Sequence, residues 1–520
     1  MADIAPIIKP NQFISDLPLE DLPDGAVQEV NNMVSDDGAF RQAQPFQAVF
    51  GTTLFKPRWL LPNQNVANAF WIYGSDQNVG VTDGTAHFDI TPAGGLSDAT
   101  AVVQPYTGGV INGLPVINTL LDGPYWWDQL TGNPIELLPD WPAGEVCDSM
   151  RPFREFLIAM NIFTGAGRIS DLLRWSDAAA PGDIPRSWTP DVDSQAGELS
   201  LSFNPGGIVD GRQLGDRFYI YKTTSAFVLQ LIGGQFVFNN RPAFATVGLL
   251  SRNALVEWRG RHILFTDGDI VAHDGVNVES LVSRKQRKRI FQDMDGSNAT
   301  NSYLTLDISR SQIGIARPRI GETYPTEMIT LNLDDLRFGR RDLIVTGLGS
   351  PHSQEGIVPM DVTSVEPNWN DRTTTWATDA SRWSDAAFLR TADFLILADY
   401  DGNKLVQEGL GNDFDGTPIQ AGLARSGLAF GDSERKKNVG RVWIKVEGAR
   451  GGQILLQFGS HDIATNEPVF GPPQAIIIDT TKVLNFDVTG YFIAWRMIAQ
   501  GQLDWKMVSM KVEVEFLGKF

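Results

Sequence analysis

The sequence is poor in cysteine, histidine and long apolar runs. Cys147 is the single cysteine among 520 residues, which excludes a disulfide framework and any zinc site built from several cysteines. The five histidines show no H-E-x-x-H or H-x-H spacing, so the sequence predicts no histidine metal centre. No apolar run approaches the roughly 18 residues of a membrane-spanning helix, and the first residues do not resemble a signal peptide. We therefore expect no membrane segment.

Basic residues are also scarce. Lys and Arg total 43 against 62 Asp and Glu, which gives a formal net charge of −19. A general nucleic-acid binder needs Lys and Arg to displace the counterions of the phosphates, so this charge argues against broad nucleic-acid affinity. Apolar residues make up 42% of the chain, which suffices for a large core, and 51 glycines with 29 prolines indicate many turns.

The apolar residues mostly follow a period of two. Residues 69–91, 216–231 and 261–282 each consist of short apolar runs separated by turn residues, among them the Asp267-Gly268 and Asp274-Gly275 pairs. Long amphipathic windows are scarce, and residues 283–291 form the best candidate for a short helix. The sequence therefore predicts a nearly all-β protein.

Similar strand–turn–strand segments recur along the chain. They begin near Trp71, Val116, Leu157, Tyr219, Ile263, Ile313 and Leu395. Most of these spacings match the roughly 40–45 residues of a four-stranded propeller blade, with extra length placed in loops. The longest spacing, before Leu395, hides either a long insertion or one more blade. We predict a β-propeller of about seven blades, with six or eight as alternatives and an array of β-sandwiches as the other architecture.

The two ends differ from this middle part. Residues 1–50 are rich in proline and predict an extended arm and lead-in strand, either lying on another surface or forming a flexible tail. Residues 51–430 form the predicted propeller platform, with loop insertions at 350–390. Clean alternation after the charged stretch 434–438 predicts a separate β-sandwich at 431–520.

Sequence signatures of catalysis are missing. There is no G-x-S-x-G elbow, no phosphate-binding P-loop and no sialidase Asp-box, so we predict no catalytic residues and no cofactor. His262 and His273 fall in one predicted hairpin unit and are interpreted as structural. The turn Asp267-Gly268-Asp269 offers oxygen atoms to calcium, but it lacks a twelve-residue loop with a bidentate Glu. Turn chemistry is therefore favoured over a metal site.

One strongly basic cluster interrupts the acidic chain. It consists of Arg284, Lys285, Arg287, Lys288 and Arg289, all within the helix candidate. Such a cluster suits a phosphate backbone in a DNA channel, an acidic partner or a subunit interface. Interleaved aromatic residues, which are typical of single-strand binding, are missing.

Five segments occur in the same order as in a known family and together resemble it. The first is VNNMVSDDGAFRQAQPF at 30–46, with Gly38, Arg41 and Pro45; the second is RWSDAAAPGDIPRSWTP at 174–190, with Trp175, Ser176, Asp177 and Trp188. The third spans 206–275 and ends in Asp267, Gly268, Asp274 and Gly275. The last two are PNWNDRTTTW at 367–376 and VGRVWIKVEG at 439–448. In this order they resemble the tail hub or nozzle proteins of short-tailed bacteriophages, also called packaged-DNA stabilisation or tail accessory proteins.

The resemblance implies a structural virion protein. Such a protein would form a ring, expected to be sixfold, below the portal and its adaptor, and would contact tail fibres or spikes. It would retain packaged double-stranded DNA and conduct it during ejection, and it would assemble in the host cytoplasm as part of the virion tail. The competing hypotheses are a propeller hydrolase that cuts glycans and a monomeric propeller that binds a protein or a sugar.

Overall fold

A computed structural model describes residues 5–14, 17–19, 21–64, 69–233, 237–343, 356–360, 392–463, 467–500 and 503–518. Within these residues the chain forms 42 strands, one α-helix (α1, Arg284–Phe291) and one 3-10 turn at Ala299–Asn301. The all-β prediction is confirmed, and α1 lies where the sequence predicted a short helix. The Gln286 side chain accepts a hydrogen bond from the Ser283 N–H (3.3 Å), which closes the first turn of α1.

The N-terminal segment contributes seven short strands. They are β1 Ile7–Ile8, β2 Gln12–Phe13, β3 Ala26–Val27, β4 Glu29–Asn31, β5 Met33–Asp36, β6 Ala39–Gln42 and β7 Phe46–Thr52. The residues that follow fold into successive antiparallel sheets, which we call blades one to seven.

Each of blades one to three has four strands in chain order. They are β8 Trp59–Gln64, β9 Ala69–Gly74, β10 Val79–Thr82 and β11 His87–Asp89; β12 Tyr106–Ile111, β13 Leu114–Thr119, β14 Gly123–Trp126 and β15 Glu136–Leu137; and β16 Val146–Phe153, β17 Phe156–Thr164, β18 Gly167–Trp175 and β19 Gly197–Ser200.

Blades four to seven repeat this pattern. They contain β20 Ile208–Leu214, β21 Arg217–Lys222, β22 Ala226–Leu231 and β23 Phe238–Phe244; β24 Leu255–Trp258, β25 Arg261–Thr266, β26 Asp269–His273 and β27 Val278–Ser280; β28 Tyr303–Asp307, β29 Gln312–Ala316, β30 Glu327–Asn332 and β31 Phe338–Asp342; and β32 Gly356–Met360, β33 Ala392–Asp399 and β34 Lys404–Glu408.

The seventh blade is completed by a strand from the other end of the chain. β7 pairs antiparallel with β34, and Phe46 opposite Glu408 is fully buried. Strands of blade seven also contact β8 of blade one and β28 of blade six, so the ring closes on itself. The chain therefore forms a seven-bladed β-propeller in which a distant N-terminal strand supplies the last strand.

The second strand of each blade produces the recurring apolar runs of the sequence. The seven predicted starting residues lie one in each of β9, β13, β17, β21, β25, β29 and β33. Strands such as β21 and β29 are buried along nearly their whole length, because each is paired on both sides and covered by the neighbouring blades. The long spacing before Leu395 begins in β29 and includes β30, β31 and β32 together with residues outside the described set.

The C-terminal residues form two facing sheets. Their strands are β35 Gln420–Leu428, β36 Lys437–Gly448, β37 Gln453–His461, β38 Val469–Phe470, β39 Gln474–Ile477, β40 Val483–Gly490, β41 Phe492–Gln500 and β42 Trp505–Phe516. One sheet has the order β6-β42-β36-β40, and the other has β38-β37-β41-β35-β4 with β39 also on β37. Phe458 of one sheet meets Phe486 of the other at 4.8 Å between ring centres, so the two sheets form a sandwich.

The N-terminal segment joins the propeller to the sandwich. β5 pairs with β31 of blade six, β6 pairs with β42 of the sandwich, and the two form a hairpin. One sheet therefore runs without interruption from blade six into the sandwich. On the same sheet β1 pairs with β42 beside β6, and on the other sandwich sheet β4 pairs with β35.

The predicted domain limits can be placed on these strands. The limit at residue 50 falls inside β7, and β35 of the sandwich begins at Gln420, before the limit at 431. The predicted insertion at 350–390, with the PNWNDRTTTW segment, lies outside the described residues except for β32.

Candidate functional site

The first strands of the blades surround a cavity of about 660 Å³ on the propeller axis. Six blades contribute to its described walls, among others through Leu60, Gly109, Pro152, Gln213, Val256 and Leu306. A Cβ added at Gly109 would lie 2.5 Å from Pro152 Cδ, so glycine allows blades two and three to approach here. Arg151, Arg212 and Glu257 are the charged residues of these walls.

A buried ion pair links three blades beside this cavity. Arg151 of blade three donates to Asp210 of blade four (Nη2 to Oδ2, 2.6 Å) and to Asn253, which precedes the first strand of blade five (2.6 Å). Burial alone would raise the pKa of Asp210, but Arg151 outweighs it and holds the pKa of that carboxyl below its ordinary value. Asp210 is therefore an ionised anchor between neighbouring blades.

A loop crosses one end of the axis. Gln104, between blades one and two, donates to the carbonyls of Thr300 (2.9 Å) and Ser302 (3.1 Å), between blades five and six. Arg252 donates to the Val103 carbonyl of the same loop (2.7 Å). Because these blades lie on opposite sides of the ring, the loop must pass over the axis. Duplex DNA therefore has no straight passage along the axis of a single propeller past these contacts.

The two histidines predicted to be structural meet one tyrosine between blades four and five. The Tyr221 hydroxyl lies 2.7 Å from His262 Nδ1 and 2.6 Å from His273 Nε2. The Gln213 carbonyl contacts His262 Nε2 (3.0 Å), and the Gly275 N–H donates to His273 Nδ1 (3.1 Å). These partners fix one direction for the series of hydrogen bonds. His273 donates to Tyr221, Tyr221 donates to His262, and His262 donates to the Gln213 carbonyl.

Burial keeps both rings neutral. It lowers the pKa of His262 to about 3 and that of His273 to about 4. All ring nitrogens of the pair have partners, and no group of three or more His, Cys, Asp or Glu that could hold a metal ion occurs in the described part of the chain. The geometry supports the structural interpretation of these histidines.

The predicted basic cluster lies on α1, which connects blade five to blade six. Arg287 donates to Asp269 (2.7 Å), and the Arg289 guanidinium lies over the Phe13 ring and 3.6 Å from Asp293. Arg284 and Lys288 are exposed, while the Lys285 side chain is outside the described set. Two of the cations thus hold the helix to blade five and to the N-terminal segment, and two face outward.

The Asp-Gly pairs of the resemblance form turns. Gly268 (φ +90°) joins the second and third strands of blade five, and Gly275 (φ +94°) joins the third and fourth. Asp274 Oδ1 accepts the N–H groups of Val276 and Asn277, which hold the pKa of the Asp274 carboxyl at about 2. Asp267 precedes Gly268 at the same kind of turn. These residues shape the blade and bring no ligand group into the axial cavity.

The tryptophan-containing motif packs the outside of blade three. Ser176 is buried, accepts the Leu157 N–H (2.9 Å) and donates to the Asp177 carbonyl (2.8 Å). Trp175 donates to the Gln195 carbonyl (2.8 Å), and buried Trp188 packs edge-on against Trp141 at 4.7 Å. This motif holds the long connection between the third and fourth strands of the blade.

The first motif lies at the junction of propeller and sandwich. Gly38 (φ +74°) makes the turn between β5 and β6, and Arg41 donates from Nε to Asp504 of the sandwich (2.9 Å). The Pro45 carbonyl accepts the Gly409 N–H (2.8 Å) beside the seventh blade. Gly38, Arg41 and Pro45 therefore belong to the segment that joins the two parts.

Sequence reasoning missed the Arg151–Asp210–Asn253 contacts and the loop at Gln104. Their partners lie between 43 and 198 residues apart along the chain, and no motif marks them. Only the closed ring brings these residues together.

Comparison with known proteins leaves the family open. No family model and no curated protein matches the sequence. Among solved structures, the extracellular domain of BT4673 from B. thetaiotaomicron aligns with 72% of this chain at 11% identity and a TM-score of 0.40. This chain spans 40% of that structure's length. The computationally designed protein Ika8 aligns with 76% of this chain and 96% of its own at 11% identity and a TM-score of 0.33. Likenesses at this level carry no argument about function.

No helix in the described residues is long and apolar enough to cross a membrane.

Proposed function

We propose that the chain is a structural subunit of a phage tail nozzle or hub. In this proposal several copies, expected to be six, form a ring below the portal and its adaptor and contact tail fibres or spikes. The ring retains packaged DNA and conducts it during ejection. The chain works through its contacts with neighbours and not through turnover.

The observation that carries the proposal is the way the N-terminal segment interlocks the two parts. It completes blade seven through β7, extends blade six through β5, and adds β6, β1 and β4 to the sandwich. Buried Arg341 adds to this junction, pairing with Glu408 of blade seven and lying 4.6 Å from the Phe46 ring. Propeller and sandwich therefore share one continuous sheet, which suits a subunit that must hold its shape under the pressure of packaged DNA.

The loop over the propeller axis decides where DNA would pass. Since the loop at Gln104 covers one end of the cavity, the DNA channel in this proposal lies between subunits, on the axis of the ring. A closed ring requires two different, complementary faces on each subunit, and the loops of the seven blades supply varied surfaces for them.

The charge of the chain suits such a channel. A net charge of −19 disfavours tight binding of a duplex that carries one phosphate charge per about 1.7 Å of axis. DNA held behind the ring can then move without strong adhesion to the wall. Arg284 and Lys288 of α1 are exposed cations, and we assign them to the contact with an acidic neighbour.

Assembly with a purified portal–adaptor complex tests this proposal. We expect several copies of the chain to join the complex as a ring, measured by native mass spectrometry. The double variant Arg284→Glu and Lys288→Glu should weaken joining by about tenfold or more, because it places like charges against the acidic neighbour. Lys445→Glu, which reverses an exposed cation on the sandwich, is the matched control and should join normally. A chain that stays monomeric with the complex and cleaves a glycan would contradict the proposal.

The axial cavity favours a second candidate, a propeller that binds a small polar ligand. Its walls combine the guanidiniums of Arg151 and Arg212 with Glu257 and apolar residues, as ligand pockets often do. The two candidates differ in the effect of Glu257→Gln: it should abolish ligand binding in the second and leave ring assembly unchanged in the first.

A further inference from the structure

In six of the seven blades, the loop that follows the third strand exposes one aliphatic side chain. Strands alternate in direction within a blade, so all these loops lie at the same end of the propeller. It is the end opposite to the loop at Gln104, which connects a fourth strand to the next first strand. The exposed residues, which we call the aliphatic tips, are Leu130, Val192, Ile232, Val276, Leu336 and Leu410.

Carboxylates accompany the tips. Val192 is 97% exposed and lies between the exposed residues Asp191 and Asp193. Val276 follows a turn in which Asp274 accepts the Val276 N–H (2.9 Å). Aliphatic groups flanked by carboxylates fit a partner surface that is apolar and not acidic. A second set of tips does not fit, because like charges would face each other.

The sandwich carries another group of exposed aliphatic residues. On the outer face of its β37–β41 sheet, Leu455 lies opposite Ile498, and Ile477 of the adjoining β39 lies on the same face. We call these three residues the sandwich patch. The neighbouring positions on this face are uncharged: Gln453, Ala475 and Gly422.

The charge of the chain is divided between the same two parts. Residues 420–520 contain 12 Lys and Arg against 10 Asp and Glu, whereas residues 1–419 contain 31 against 52. The sandwich therefore has a basic excess and the rest of the chain an acidic one. The propeller of one copy and the sandwich of another attract each other, whereas two propellers repel.

Blade three and the sandwich lie on opposite sides of the propeller. The N-terminal segment holds the sandwich beside blades six and seven, through β5 and β7. In a ring of seven blades, blade three is half a turn from the junction of blades six and seven. Val192 thus lies away from the sandwich of its own chain. A contact between the two joins different copies head to tail, as a closed ring requires.

We propose that the tips of blades two to four dock on the sandwich patch of the next copy. Val192 forms the centre of the contact, and Leu130 and Ile232 of the adjoining blades lie on either side. The tips bury their aliphatic groups against the patch, while the carboxylates beside Val192 face the part of the chain that has a basic excess. This contact rests on the proposed ring and names the two faces that join its subunits.

Two full-length variants, each lacking one face, test the contact. Val192→Asp alters the tips and Ile498→Asp alters the patch, and each should weaken self-association by about 10- to 100-fold, since each removes one buried aliphatic side chain. Wild type should form oligomers larger than dimers at about 100 µM, and each variant alone should be monomeric. An equal mixture of the variants should form only a 1:1 dimer, because one intact pair of faces remains. Native mass spectrometry with one variant labelled with ¹⁵N measures these masses.

Ile320→Asp is the matched control. Ile320 is 73% exposed but lies between the second and third strands of blade six, at the other end of the propeller, so this variant should associate like wild type. Thermal melting by circular dichroism shows that each variant is folded. A mixture without the 1:1 dimer, a wild type that stays monomeric, or a Val192→Asp variant that associates like wild type would overturn the proposed contact. Ring formation by wild type on the portal–adaptor complex is measured separately, so the proposed function stands if that ring forms while the contact fails.

Discussion

At the scale of single residues, the propeller depends on buried polar groups that have exact partners. Tyr221 joins His262 and His273 by two hydrogen bonds, and all three side chains lie between blades four and five. Removing the hydroxyl leaves one ring acceptor and one ring N–H without a partner in the interior. Each buried polar group left unpaired costs about 1–3 kcal/mol.

Tyr221→Phe should therefore lower the free energy of unfolding by about 2–4 kcal/mol. Urea denaturation at pH 7.5 measures this, with Tyr491→Phe, whose ring packs beside Lys436 near the end of the sandwich, as the control. Equal stability of wild type and Tyr221→Phe would show that the chain of hydrogen bonds contributes nothing.

Acid should weaken the same junction. The folded pKa values of about 3 and 4 lie below the ordinary histidine value of 6.5, so below pH 6.5 the unfolded chain binds protons that the folded chain does not. Each histidine should then cost on the order of 2 kcal/mol between pH 6.5 and 5. The His262→Gln and His273→Gln double variant should show a flatter dependence of unfolding free energy on pH in this range. An unchanged slope would mean that the histidines are not neutral in the folded protein.

At the scale of strands and helices, local signals predicted much of the propeller. The apolar runs and the turn residues that follow them predict the second strand of every blade, and the polar stretch 283–291, the best short helix candidate of the sequence, contains α1. Both depend on residues that are neighbours in the sequence. The closure by β7 was not predicted, because its partner β34 lies more than 350 residues away and pairing leaves no mark in either strand.

The closing strand has a testable consequence. A chain that begins at residue 46 keeps β7, while a chain that begins at residue 53 leaves the outer edge of β34 open and removes Phe46 from the core. We expect the first to unfold cooperatively and the second to lose cooperative unfolding and aggregate through the open edge. Differential scanning calorimetry compares the two, since both lack β1 to β6. Equally cooperative unfolding would show that the seventh blade does not need β7.

The rest of the N-terminal segment is held by a buried arginine. Arg425 of β35 donates to the carbonyls of Leu19 (3.0 Å) and Leu22 (3.2 Å), and burial lowers the pKa of Arg425 to about 10. The extended character of residues 1–50 was predicted from proline, but this anchor was not, because nothing near Arg425 in sequence marks its role.

Arg425→Ala should release Leu19 and Leu22 from the sandwich while the propeller stays folded. We expect faster hydrogen exchange at residues 26–31, measured by mass spectrometry. Arg186→Ala, which removes an exposed arginine of blade three, is the control. Unchanged exchange would contradict the role of Arg425 as the anchor.

At the scale of the whole molecule, the sequence predicts the two parts of the architecture but not the way in which they are joined. The sequence predicts an all-β chain with a propeller-like platform and a C-terminal sandwich, and the strands confirm this architecture. What the sequence does not predict is the shared sheet between the two parts, because it depends on a hairpin at 33–42 that pairs with residues near 340 and near 506. The positions of the axial cavity and its covering loop depend in the same way on the closed ring.

The central claim is that copies of this chain form a ring whose own axis, and not the propeller axis, carries DNA. Cryo-electron microscopy of the chain assembled on a portal–adaptor complex measures this most directly. We predict a ring of several copies, expected to be six, with a duplex-wide lumen between subunits and the propeller axis of each copy covered by the loop at Gln104. A single bound copy, or a ring in which the blades leave no duplex-wide lumen, would contradict the account.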